Sequence, residues 1–271
     1  MPAEVSLFGH LAGPFSGNHK NKGRQKPMIS RTLRTLLMLM MMPAVASCAA
    51  ATNDGVAARA AVPAPSVDAP LANHSGNATA VLAGGCFWGL QWVFEHVPGV
   101  TNVTSGYSGG AAATATYEQV SEDNTGHAET VRIAYDPSKV TYGELLRVYF
   151  SVATNPTELN RQGPDTGTQY RGVIFYVNAE QQRIAKDYIA QLGAAHAFAA
   201  PIVTQVVPLK AFYPAEDYHQ DYARLHPDAL YIAINDAPKV AALQRALPKL
   251  YRAQPVIWHD EHPTTIMVDL H

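Results

Sequence analysis

From Cys48 to about Ala78 the chain is built of alanine, proline and small polar residues, with almost no large apolar side chain. Such a stretch cannot take enough apolar surface out of water to offset the entropy of ordering it, so residues 48–78 are expected to form a flexible linker. Any core must come from the residues beyond it. The folded domain is expected over residues 79–253, with 254–271 as an extended tail that lacks helical or strand periodicity. The whole chain of 271 residues is 47% hydrophobic and 15% charged, which is enough for one good-sized core.

Within the domain, short apolar runs alternate with amphipathic stretches. Ala80-Val81-Leu82-Ala83 reads as a strand, Gly84-Gly85 as a tight turn, and Leu90, Val93, Phe94 and Val97 fall at helical spacing before Pro98-Gly99 stops them. Glu129 to Tyr135 alternates as a strand, with Val131, Ile133 and Tyr135 on one side. Thr141-Tyr142-Gly143-Glu144 has the capping-box pattern, and its helix is expected to bury Leu145, Leu146, Tyr149 and Phe150. Val173 to Val177 is a further strand, and Asn178-Ala179-Glu180-Gln181 opens a helix through Ile184, Tyr188 and Leu192 to Gly193. Ile202 to Val207 reads as a strand and Ala237 to Tyr251 as a closing helix. The alternation predicts an α/β chain of the α+β two-layer kind, with a ferredoxin-like core, a mixed sheet and flanking helices.

The start of the chain reads as an address. In residues 28–48, Arg31 and Arg34 form a positive region, Leu36 to Met42 an apolar one, and small residues come next, which is the order of a secretory signal peptide. Val45-Ala46-Ser47-Cys48 also resembles a bacterial lipoprotein cleavage box, making Cys48 the lipidation candidate. Ordinary cleavage after Ala44-Val45-Ala46 is the alternative and leaves Cys48 a free thiol. Residues 1–47 are accordingly set apart as extension and signal peptide. The expected location is the bacterial cell envelope, in the periplasm and tethered to the membrane through lipid on Cys48. The formal net charge of −2 gives no electrostatic footprint for nucleic acid, and a monomer is the default expectation. With Cys48 and Cys86 as the two cysteines, a disulfide scaffold is excluded, and no Cys/His spacing calls for a metal.

Cys86 draws attention for three reasons. Two glycines precede it and let the backbone turn sharply, leaving the thiol exposed. It falls at a predicted helix N-terminus, where free N–H groups favour the thiolate. It is also an unpaired thiol in a domain expected on the oxidising side of a membrane, where an idle one is a liability. A buried cysteine acting as a small hydrophobe is the plainer alternative. Phe87 and Trp88 read equally as core rings or as the wall of a slot for a methyl-bearing group. Glu129, Tyr117 and Tyr170 taken alone are an ordinary strand-end charge and half-buried tyrosines. His127 and His219 have no ligand partner at metal spacing and read as hydrogen-bonding structural residues.

Taken together, ordered segments give a stronger signal. Gly85-Cys86-Phe87-Trp88-Gly89, Gly106-Tyr107-Ser108-Gly109-Gly110, Tyr117-Glu118-Gln119-Val120 and Gly126-His127-Ala128-Glu129 resemble the peptide methionine sulfoxide reductase A family. The stretches from Leu159 to Asp165, Gly167 to Arg171 and Phe212 to Gln220 continue the resemblance in the same order. It implies that Cys86 attacks the sulfoxide sulfur and becomes a sulfenic acid. Phe87 and Trp88 would hold the substrate methyl group, and Glu129 would protonate the sulfoxide oxygen. Tyr117 and Tyr170 would donate hydroxyls to that oxygen, and Asp165 would help organise the site. A sulfoxide oxygen leaves poorly until protonated, so the acid must stay neutral near pH 7, and an apolar pocket can arrange this. The implied substrates are free methionine S-sulfoxide and oxidised proteins or peptides. No bound cofactor is implied; the reductant is an external thiol, thioredoxin or similar.

The chain departs from the resemblance at the recycling step. Relatives often carry further cysteines that resolve the sulfenic acid, whereas nothing after Cys86 is cysteine and Ser121 stands where several relatives have one. Direct attack by an external thiol is the expected replacement. Two rivals are a one-cysteine peroxidase, separable by comparing hydrogen peroxide with a methionine sulfoxide peptide, and a binding lipoprotein that recognises oxidised methionine without turning it over.

Overall fold

The protein is described by a computed structural model over residues 60–260 and, for the backbone, 266–267. Strand β1 (Ala78–Ala83) passes through the Gly84-Gly85 turn into helix α1 (Phe87–Glu95); β2 (Val100–Ser108) and the short α2 (Tyr117–Ser121) lead to β3 (Ala128–Tyr135). Helix α3 (Tyr142–Val148) runs on into a π-helical turn, and a small hairpin of β4 (Arg161–Gln162) and β5 (Asp165–Thr166) precedes β6 (Val173–Tyr176). Helix α4 (Ala179–Ala194), strands β7 (Gln205–Pro208) and β8 (Ala211–Pro214), the single turn α5 (Tyr222–Leu225), α6 (Ala237–Ala246) and β9 (Ile266–Met267) complete the order.

The strands make one mixed sheet in the order β7-β6-β1-β3-β2-β8-β9, with β6 and β7 parallel and the other pairs antiparallel. Helices flank it, as the α+β reading expects. Side chains alternate across each strand. Ala80, Leu82, Val131 and Ile133 therefore join the helices in the main core, while Val81, Ala83, Ala128, Phe175 and Phe212 pack together in a second, smaller cluster. The alternation in β3 thus separates two buried faces, and all of that strand is buried. Glu129 is in step with Val131 and Ile133, which places a carboxyl on the helix-packed face.

Local chemistry sets the helix starts. At α3 the Thr141 hydroxyl accepts the Glu144 N–H at 3.1 Å and the Glu144 carboxylate accepts the Thr141 N–H at 3.0 Å, closing the capping box. Asn178 accepts the Gln181 N–H at 2.8 Å and opens α4, whose Ile184, Tyr188 and Leu192 are buried.

Several expectations change. The segment expected to be a free linker is docked from residue 60 on. Val62 is buried in the main core and its N–H donates to Ser151 at 3.1 Å, while Tyr188 donates to the Pro63 carbonyl at 2.6 Å. Asp68 accepts the Gly143 N–H at 2.8 Å and the Thr141 hydroxyl, so it serves as a second cap on α3. Val62, with Ala61 and Ala69 packed against the same core, and a series of hydrogen bonds hold an extended strap without the large side chains a helix or strand would need. The tail is also engaged. Asn102 donates to the His259 carbonyl at 2.9 Å, and β9 pairs with β8. The strand expected from Ile202 begins at Gln205, and the closing helix stops at Ala246 before a 3-10 turn. The signal-peptide and lipidation reading, Cys48 included, lies outside the described residues.

Candidate active site

Two features of the β1–α1 connection put Cys86 where it is. Gly85 has a φ of +100°, and a side chain there would also press on Gln162, with only 2.9 Å to its Cβ. No other residue takes that backbone and that contact without strain. Cys86 itself is the residue before α1, with φ −54° and ψ 126°, so its sulfur leaves the chain where the helix begins.

The sulfur opens onto a cavity of about 200 Å³ walled by Phe87, Trp88, Tyr117, Glu129, Asp165, Tyr170 and Tyr231. The residues singled out within the domain are thus brought together, although they come from positions up to 84 apart between Cys86 and Tyr170 (170 − 86). A larger hollow, about 450 Å³ between the end of α4 and residues 196–202, is lined mainly by apolar groups, with His196 among them and neither a cysteine nor a carboxylate on its wall.

The thiol differs from its expectation. Cys86 is only 8% exposed, and burial pushes it well above the usual thiol range, helped by the carboxyls of Glu129 and Asp236. The Trp88 N–H at the helix start and Lys239 act in the opposite direction and are outweighed. The start of a nine-residue helix does not offset the loss of water around a charged sulfur. At rest the group is a thiol, not a thiolate.

Glu129 is 3% exposed and its Oε2 accepts the Phe87 N–H at 3.0 Å. Burial pushes its carboxyl up to about 8; the Phe87 hydrogen bond opposes this, and Asp165 and Asp236 add to it. The group is therefore a neutral acid at pH 7. Burial likewise raises Tyr117 and Tyr170, and the Glu129 carboxyl adds to both shifts, so both keep their hydroxyl protons. Asp165 is raised by burial and accepts the Tyr231 hydroxyl.

The aromatic wall is held rigidly. Trp88 stacks on Tyr222 at 4.0 Å and donates its indole N–H to His219 Nδ1 at 3.1 Å. Because an indole N–H only donates, His219 must accept there, which fixes it as the neutral ring with its proton on Nε2; burial lowers its pKa in the same sense. Glu216 accepts the Tyr117 N–H at 3.0 Å and the Tyr107 hydroxyl at 2.9 Å, which pins the start of α2 and with it the Tyr117 ring. His127 accepts the Gly110 N–H at 3.2 Å and lies 3.0 Å from the Ala111 carbonyl, a loop-holding role.

Sequence reasoning missed Tyr231, Asp236 and Lys239. They lie in and close to a π-helical turn at Ile232–Asp236, where the side-chain period is neither that of a helix nor that of a strand. Gly89 was a usable signal: a side chain there would overlap the Asp236 carboxyl, so α1 keeps a bare face for it.

Residues 78–250 match the family model described as peptide methionine sulfoxide reductase. A peptide methionine sulfoxide reductase MsrA 2 from Mesorhizobium japonicum is 59% identical over 182 residues, covering 67% of this chain and 93% of its own. A second protein of that name, from Synechocystis, is 48% identical over 195 residues, covering 71% and 91% respectively. Among solved structures, reduced Mxr1 from Saccharomyces cerevisiae is similar with a TM-score of 0.51 and 28% identity, covering 59% of this chain and 94% of that one.

Proposed function

The chain belongs to the peptide methionine sulfoxide reductase family, and from that premise we propose that Cys86 and Glu129 act as a pair that reduces the sulfoxide without net proton exchange. The protein is a peptide-methionine (S)-S-oxide reductase; it reduces methionine sulfoxide to methionine by way of a cysteine sulfenic acid, and so repairs oxidised proteins. The observation that carries the pairing is that a neutral carboxyl and a neutral thiol face one aromatic-walled cavity.

The substrate methyl group lies against Phe87 and Trp88, and the oxygen points to Glu129, Tyr117 and Tyr170. Glu129 gives its proton to the oxygen as Cys86 Sγ attacks the sulfur, and the thiol proton returns to Glu129; the hydroxyl then passes to Sγ as the bond between the two sulfurs breaks and the thioether leaves. The thiol plus the sulfoxide become sulfenic acid plus thioether, with one oxygen transferred and no change in total charge. That balance explains why a site can keep both groups protonated: a buried cavity disfavours net charge at any stage. Asp165, held by the Tyr231 hydroxyl, helps organise the same cavity.

Recycling then needs an external thiol, from a thioredoxin-like protein or a small molecule. It displaces water from the Cys86 sulfenic acid to form a mixed disulfide, and a second thiol frees Cys86. A location in the cell envelope, tethered through lipid on Cys48, rests on the residue pattern of 28–48; intact mass of the membrane fraction tests it, and an N-terminus without a lipidated cysteine overturns it.

The deciding test is a single turnover of pre-reduced protein on the separated sulfoxide epimers, read by intact mass and product analysis. One methionine per protein from the S epimer and one oxygen gained at Cys86 are expected, with none from Cys86→Ser. Undiminished product from that variant defeats the assignment.

A further inference from the structure

Cys86 lies on the wall of two cavities, not one. The second, of about 140 Å³, has Gln162, Pro164, Ile234, Pro238 and Lys239 among its walls and shares only Cys86, Asp165 and Tyr231 with the first. The two therefore meet at Cys86, with the hydrogen-bonded Asp165–Tyr231 pair on the wall they share. The second cavity contains none of the groups that would read a sulfoxide: Glu129, Tyr117, Tyr170 and Trp88 all line the first.

Its own chemistry is different. Lys239 is on its wall, held at 3.1 Å by the fully buried Asp236, whose second oxygen has no hydrogen-bond partner. Gly89 leaves room for that carboxylate against α1, so the ion pair stands beside the first turn of the helix that Cys86 precedes. The rim is apolar and open, since Ile234 is 61% exposed.

We propose that this second cavity is the entry by which a low-molecular-weight thiol, approaching as thiolate, reaches the oxidised Cys86. The inference rests on the sulfenic acid of the proposed reaction. Displacement at sulfur runs in line, with the incoming sulfur opposite the leaving oxygen. The oxygen is delivered to Cys86 in the cavity of Glu129, so the attacking thiolate arrives from the other side. Its sulfur bonds to Sγ while the oxygen, protonated by Glu129, leaves as water. A second equivalent of thiol then takes the mixed disulfide apart, returning Cys86 to the thiol and releasing the oxidised reductant as a disulfide. Lys239 is the cation that steadies the thiolate on its way in. In a chain with no cysteine after Cys86, such a side entrance replaces an internal resolving thiol.

The two half-reactions can be measured apart in the full-length protein. Methionine formed in a single turnover reports the first; intact-mass chase of the Cys86 sulfenic acid with 2-mercaptoethanol reports the second. Ile234→Trp overhangs the second cavity from an exposed position and is expected to slow the thiol step at least tenfold more than the sulfoxide step. Ile257→Trp, exposed and on neither cavity, should show no such bias. Lys239→Gln should show the same bias as Ile234→Trp, and Lys239→Arg should restore the thiol step. Equal losses in both steps for Ile234→Trp, or an unaffected thiol step, overturn the proposal. Absence of any methionine from the wild type would instead strike the catalytic reading on which it rests.

Discussion

Helix α1 has a buried glutamate at each end, and the two stand in different surroundings. Glu129 reaches the N-terminal end from β3 and accepts a backbone N–H there; Glu95 is the last residue of the helix, fully buried. Burial pushes Glu129 up to about 8. Burial and the neighbouring Asp221 carboxyl push Glu95 up to about 10. Around Glu95 the chain is sealed: Arg252 and the Val256 N–H both hydrogen-bond its main-chain carbonyl, the latter at 3.0 Å. A carboxyl keeps its proton wherever water is removed. The proton becomes useful only where the helix start moderates it and a cavity brings a thiol alongside.

The sharpest break between the two ends is chemical. Cys86→Ser should lower single-turnover methionine formation by roughly 10⁴-fold or more, the scale of losing a nucleophile. Glu129→Gln should cost roughly 10²–10⁴-fold, the scale of a general acid, while Glu95→Gln leaves the rate unchanged. Equal effects at both ends would dissolve the contrast.

Next comes pH. The wild-type single-turnover rate should fall as pH rises past about 8, where Glu129 loses its proton, and Glu129→Gln should flatten that limb while Glu95→Gln keeps it. Stability carries the same signs. Both folded-state values lie above the ordinary 4.5, so each group's contribution is fully present below that value. As pH climbs, the unfolded chain gives up its protons first, and the contribution shrinks until the folded group ionises. In urea titrations, the stability gain of Glu129→Gln over wild type should grow from pH 4.5 and level off near 8, whereas that of Glu95→Gln should keep growing towards 10. A common plateau would mean the two sites are not differently tuned.

Smaller effects separate the two tryptophans of the helix. Trp88→Phe loses the bond to His219 and part of the Tyr222 stack, and KM should rise roughly tenfold. Trp92, which packs beside His96 away from the cavity, should tolerate the same change without a shift in KM. Smallest of all, Thr141→Ala removes a cap that lines neither cavity and should cost about 1 kcal/mol of stability, read from the denaturant midpoint, with methionine yield intact.

The sequence by itself determined those parts whose causes are local. The strand–turn–helix around Cys86, the Thr141 capping box and the Asn178 cap arise from neighbours within a few residues, and they stand where they were expected. The match to a family assembled the site list, because its motifs are short and ordered along the chain. Three things only the tertiary structure decided. Burial from distant strands and helices reversed the expected acidity of Cys86, and no local pattern records how much water a sulfur keeps. The strap from residue 60 to 77 is held by hydrogen bonds to α3, to the π-helical turn after it and to α4, which a low apolar content does not forbid. Tyr231 and Lys239 reach Cys86 across about 150 residues through a π-helical turn, so their approach depends on long-range packing that has no period along the chain.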